Sequence, residues 1–90
     1  MPVIASTEVT GLSRDQYFQV AAALTDKLKA APGFMGHCAY ENQGVINVVE
    51  VWASAEDHDA WFDGSVRPNL WPGVTPQKFD VMNLVLPDSQ

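Results

Sequence analysis

The spacing of apolar and polar positions divides the chain into six segments. Val3 to Val9 is β-branched or small and is followed by Gly11, which predicts a first strand closed by a turn. Ser13 and Gln16 then have capping-box spacing. Tyr17, Val20, Ala21, Leu24, Leu28 and Ala31 recur at three- and four-residue steps, so one apolar stripe runs along a helix that Pro32-Gly33 ends. Phe34 to Glu41 is a short mixed run, Asn42-Gln43-Gly44 is a turn signal, and Val45 to Ala53 carries the strongest strand signature, so the two runs predict a hairpin. Ser54 caps a second helix with Asp57 at the third position, and Glu56, Asp57 and Asp59 sit where the helix dipole favours negative charge. Pro68 bars that helix from running far past Arg67. Asn69 to Gln77, with Pro72, Gly73 and Pro76, reads as a loop, and Phe79 to Leu86 as a last strand.

The order β-α-β-β-α-β predicts a single α+β domain over residues 1–90. Its topology is ferredoxin-like, an antiparallel sheet with both helices on one face. Such a sheet should alternate apolar and polar residues. Val45, Ile46, Val48, Val49, Val51 and Trp52, then Val81, Met82, Leu84, Val85 and Leu86, instead put apolar groups on both faces. The second face needs a cover, and a second copy of the sheet supplies one, which predicts a homodimer built as a dimeric α/β barrel.

Composition narrows the partners. With 47% apolar residues the chain is globular, apart from a polar tail at Pro87 to Gln90. A net charge of −6, with five scattered Lys and Arg, argues against nucleic acid and anionic membrane surfaces. A lone Cys38 makes no intrachain disulfide, and no stretch approaches a membrane span or a cleavable leader, so the expected location is cytoplasmic. The two His residues are 21 positions apart, and no HxH, HxxxH or CxxC spacing supports a metal site; no cofactor is expected.

Three motifs stand together: Pro32-Gly33-Phe34-Met35-Gly36-His37; Val49-Glu50-Val51-Trp52-Ala53-Ser54-Ala55-Glu56-Asp57; and Trp61-Phe62 with Arg67-Pro68-Asn69-Leu70. In this layout the chain resembles the antibiotic-biosynthesis-monooxygenase-like group of dimeric α/β barrels over nearly its whole length. The resemblance implies a pocket between sheet and helices. In that superfamily the pocket hosts cofactor-independent oxidation of polycyclic phenols, quinol oxidation, heme breakdown, lactone isomerisation or polyketide cyclisation, so the fold does not choose the reaction. The heme-degrading branch pairs a Trp in the second helix with a His ten positions later and an Asn on the first strand. Here Trp61 matches the Trp, the later position is Trp71, and the first strand offers Ser6 and Thr7. Heme is therefore discounted as a substrate.

Several residues are candidates for chemistry. His58 precedes Trp61 and Phe62 by three and four positions, so the three share a helix face that should point at the sheet. A histidine side chain, the one whose unperturbed pKa of about 6.5 lies near neutral pH, suits a general base toward a phenol or an acidic C–H; bonding to a backbone carbonyl, or exposure beside acidic neighbours, is the structural alternative for His58. His37, on the second strand, would line the pocket as the other base candidate or sit at the dimer interface, and alternation sends Tyr40 to the opposite face. Trp52, Trp61 and Trp71 are flat walls for a planar ligand or efficient core formers, with core favoured for Trp52. Glu50 is either a buried carboxylate, hence a base, or a residue facing a polar rim or partner chain, and the second is preferred. Asn47 and Asn83 are candidates to polarise a carbonyl or a peroxide-like oxygen, as Asn does in related monooxygenases, against a plain hydrogen bond within the sheet. Arg67 would bind a carboxylate at the pocket mouth or pair with Asp63. The expected function is a cofactor-independent monooxygenase acting on a small aromatic or polyketide-type substrate, with His58 or His37 removing a proton, Trp61 and Phe62 against the rings, and Asn47 or Asn83 orienting oxygen. The rivals are a cyclase or isomerase on the same scaffold and a non-catalytic ligand-binding module.

Overall fold

A computed structural model describes residues 1–69 and 74–88. The elements run β1 (Val3–Val9), α1 (Arg14–Ala30), β2 (Phe34–Asn42), β3 (Val45–Trp52), α2 (Ala55–Trp61), a π turn (Phe62–Val66), a short 3-10 turn (Arg67–Asn69) and β4 (Gln77–Asp80). The strands form one antiparallel sheet in the order β2-β3-β1-β4, the ferredoxin-like arrangement. Both helices open on caps visible in the sequence. Ser13 Oγ accepts from the Gln16 amide while Gln16 Oε1 accepts from the Ser13 amide, and Ser54 Oγ accepts from the Asp57 amide. Gly33, at φ +82°, turns the chain out of α1 in a conformation that disfavours any Cβ.

The helical winding that begins with α2 stops two residues past Arg67, as Pro68 requires, with α geometry giving way to the π turn after Trp61. One sequence expectation needs correction at the C-terminal end. The last strand begins earlier and is shorter than Phe79 to Leu86: it pairs with β1 from Ser6–Gln77 to Val3–Asp80, where β1 itself ends, and the Val81 amide then reaches the Pro2 carbonyl. Residues 81–88 continue outside the sheet, with Met82 and Val85 almost fully exposed.

Strand alternation buries Val3, Ala5, Thr7 and Val9 of β1 beside Ile46, Glu50 and Trp52 of β3, all toward the helices. The core there falls into two clusters. One gathers Val3, Ala5, Leu28, Trp52 and Trp61; the other gathers Val9, Leu12, Ile46 and Val74. The apolar stripe of α1 overlies the gap between them, and that gap is a cavity.

Candidate active site

The cavity has a volume of about 440 Å³ and draws its walls from both core clusters. Tyr17, Val20, Ala21, Leu24 and Leu28 of α1 form one side; Phe34, Gly36, His37, Val48 and Glu50 of the sheet form the other, with Trp61 and Val66 at the second helix. Interiors are normally close-packed, so a small domain that leaves this volume unfilled gives up dispersion contacts and holds space for a ligand of drug-like size.

A β-bulge brings the chemistry into this space. Phe34 lies opposite Trp52, but Gly36 lies opposite Val51, so Met35 is an extra residue in β2. Counted from Phe34, alternation alone would send His37 to the face away from the helices. The bulge reverses the phase and sets His37 opposite Glu50, on the cavity side. Glu50 is therefore not at a polar rim, as the sequence suggested; it is 9% exposed and lines the cavity.

Four side chains then form one hydrogen-bonded line. Trp52 Nε1 donates to Glu50 Oε1 at 3.0 Å, His37 Nδ1 donates to Glu50 Oε2 at 2.7 Å, and the Tyr17 hydroxyl donates to His37 Nε2 at 2.7 Å. Each assignment follows from the donor inventory. An indole N–H only donates and a carboxylate accepts, so the Nδ1 proton faces Glu50 and the Nε2 lone pair faces Tyr17. Burial, reinforced by the nearby Glu50 charge, pushes the Tyr17 phenol above its ordinary pKa and keeps it a proton donor. The Tyr17 ring also stacks near the imidazole, 6.3 Å between centroids. The arrangement is a carboxylate-oriented imidazole whose basic nitrogen sits under a hydroxyl at the wall of an apolar chamber. It can accept a proton and hold the resulting charge against Glu50.

The other sequence candidates lie elsewhere, except Trp61, which is a cavity wall and stacks at 6.4 Å on Trp52. His58 is buried on α2 away from the cavity lining, its ring stacked on Phe62 and edge-on to Trp52, with Nδ1 donating to Asp59 Oδ1 at 3.1 Å. Lys78 and His58 together hold the Asp59 carboxyl below its usual range. Trp52 is fully buried and reaches the site only through Glu50. Asn47 faces the other side of the sheet and donates to the Val45 carbonyl; Asn83 is exposed beyond β4. Arg67 pairs with Asp63 at 3.1 Å and lies over the Phe62 ring. Trp71 lies outside the described residues. Sequence reasoning passed over Tyr17 as chemistry because it counts as one more apolar member of the α1 stripe. Among the described residues no three His, Cys, Asp or Glu side chains converge as a metal-ligand set would.

The family model for antibiotic biosynthesis monooxygenase matches residues 2–66. The chain belongs to that family. Members bind small ligands and often form dimers. No curated protein matches the chain. Among solved structures, Rv0793 from Mycobacterium tuberculosis is similar at 15% identity and a TM-score of 0.66, covering 96% of this chain and 100% of that one. SnoaB, a cofactor-independent oxygenase from Streptomyces nogalater, is similar at 13% identity and 0.59, covering 97% of each. MhuD, a heme-degrader from Mycobacterium tuberculosis solved with two hemes in its active site, is similar at 21% identity and 0.60, covering 93% and 97%. These likenesses establish the fold, and no helix among the described residues is long and apolar enough to cross a membrane.

Proposed function

We propose that this monooxygenase-family domain oxidises a small aromatic or polyketide-type substrate without a cofactor, with His37 as general base. The observation that carries the reading is the Trp52–Glu50–His37–Tyr17 line opening on an apolar cavity. A flat substrate lies between the α1 stripe and Trp61, with an acidic C–H or O–H toward the imidazole. The substrate displaces the Tyr17 hydroxyl from His37 Nε2, whose freed lone pair takes the proton, and Glu50 stabilises the imidazolium. The carbanion then reduces O₂, forming a C–O bond. The proton returns from His37 to give a hydroperoxide, and loss of water leaves a ketone, so CH₂ plus O₂ yields C=O plus H₂O. SnoaB's description as a cofactor-independent oxygenase supports the oxygen step. The cavity volume supports a ligand over a self-filled pocket. Oxygen uptake with a panel of polycyclic phenols and anthrones tests the proposal. Uptake equimolar with product and abolished in His37→Ala is expected; conversion under argon would instead assign a cyclase or isomerase, and binding without conversion a non-catalytic module.

The same reading includes a homodimer. Ile4, Val49, Val51, Phe79 and Tyr40 lie on the sheet face away from the helices, and the apolar segment 81–88 leaves the sheet beside them. A second copy of this sheet is the occupant that matches both features. Sedimentation at micromolar concentration should give twice the chain mass, and a monomer would refute it.

A further inference from the structure

We propose that Lys29 makes this cavity selective for a flat apolar ligand that carries an anionic group at the end opposite its reacting hydroxyl or C–H. The inference rests on the ligand-binding reading above. Three of the five cationic side chains are tied to carboxylates: Arg14 to Glu41 at 2.8 Å, Arg67 to Asp63 at 3.1 Å and Lys78 to Asp59 at 2.6 Å. Among the described residues Lys29 has no carboxylate partner and is the only Lys or Arg lining this cavity. It is exposed while contributing to that lining, which places it at the mouth.

The cavity is electrically polar along its length. Glu50 supplies negative charge where Tyr17 and His37 meet, and Lys29 supplies positive charge about 18 Å further along the α1 axis, twelve residues on. An acidic ligand entering a chain of net charge −6 meets a repulsive field, so a local cation decides whether it enters and which way round. Its anionic end is repelled from Glu50 and held at Lys29, which directs its other end to the His37 imidazole. Proximity to the C-terminus of α1 also suits a lysine, but Lys27 occupies that turn too and lines a separate, smaller recess.

A matched pair of fluorescent probes separates these roles. 8-Anilinonaphthalene-1-sulfonate and N-phenyl-1-naphthylamine share a skeleton and differ by the sulfonate. Lys29→Gln should weaken the sulfonate probe about threefold to fivefold, as expected for a partly screened charge pair, and leave the neutral probe unchanged. Lys29→Arg should retain the affinity, and Lys27→Gln should change neither probe. Equal affinities for the sulfonate probe in wild type and Lys29→Gln, with the neutral probe still bound, would overturn the role of Lys29 and leave the cavity reading standing. Failure of wild type to bind either probe would overturn both.

Discussion

Replacing Glu50 with Gln alters the site by one atom and forces a choice between two donors. Glu50 accepts from the Trp52 indole at 3.0 Å and from His37 Nδ1 at 2.7 Å, using one oxygen for each. Gln offers one oxygen and one NH₂, so one of the donors must face another donor. Trp52 is fully buried and its N–H has no other form, so leaving it unpaired costs about 1–3 kcal/mol. His37 can avoid that cost by moving its proton. The Gln oxygen therefore stays with Trp52, its NH₂ donates to Nδ1, and the imidazole proton shifts to Nε2. The nitrogen facing the cavity becomes a donor, the Tyr17 hydroxyl must turn to accept, and no lone pair remains to take a substrate proton. Turnover should fall about a hundredfold to ten-thousandfold, the range that general-base catalysis supplies. Nitrogen-15 NMR of labelled histidine reads the tautomer directly and needs no substrate. Wild type should carry the His37 proton on Nδ1 and Glu50→Gln on Nε2. A proton still on Nδ1 in Glu50→Gln, or unchanged turnover, would refute this account of the site.

Three further outcomes follow from the same geometry. The raised Tyr17 pKa favours the folded state most below the ordinary phenol value, and its contribution falls as pH rises from about 10 toward the folded value; absorbance titration should show one tyrosine ionising after the other, and Tyr17→Phe should abolish the late step. The lowered Asp59 pKa, caused first by the Lys78 hydrogen bond, gives stability that is present above about pH 4 and lost as pH falls toward the folded value; Asp59→Asn should flatten that acid limb in denaturation curves. Gly33→Ala should destabilise by about 1–3 kcal/mol in urea titration, because the residue sits at φ +82° and a Cβ there would overlap the Asp57 carboxylate, whereas Gly64→Ala, with open space around it, should change stability little.

Local chemistry carried much of the fold into the sequence. The Ser13 and Ser54 caps, the α1 stripe, the hairpin signal at Asn42-Gln43-Gly44 and the stop at Pro32-Gly33 act over a few residues, so their outcome follows from neighbours alone. His37 and Trp61 also stood out as candidates by residue type and placement. The end of β4 was not legible, because it depends on how far β1 extends beside it. His58 looked equal to His37 because helical spacing shows which residues share a face but not what fills the space they point into.

The arrangement of the candidate site belongs to the tertiary structure. Alternation along β2 is a local rule with a period of two, and a single extra residue at Met35 inverts it. Whether that bulge forms depends on the pairing of β2 with β3, a contact between strands, and it decides whether His37 faces Glu50 or the opposite side of the sheet. Tyr17 and Glu50 acquire their roles in the same way. One belongs to an apolar stripe and the other to an apolar strand, and they become parts of one hydrogen-bonded line only when α1 lies across the sheet with a cavity left between them.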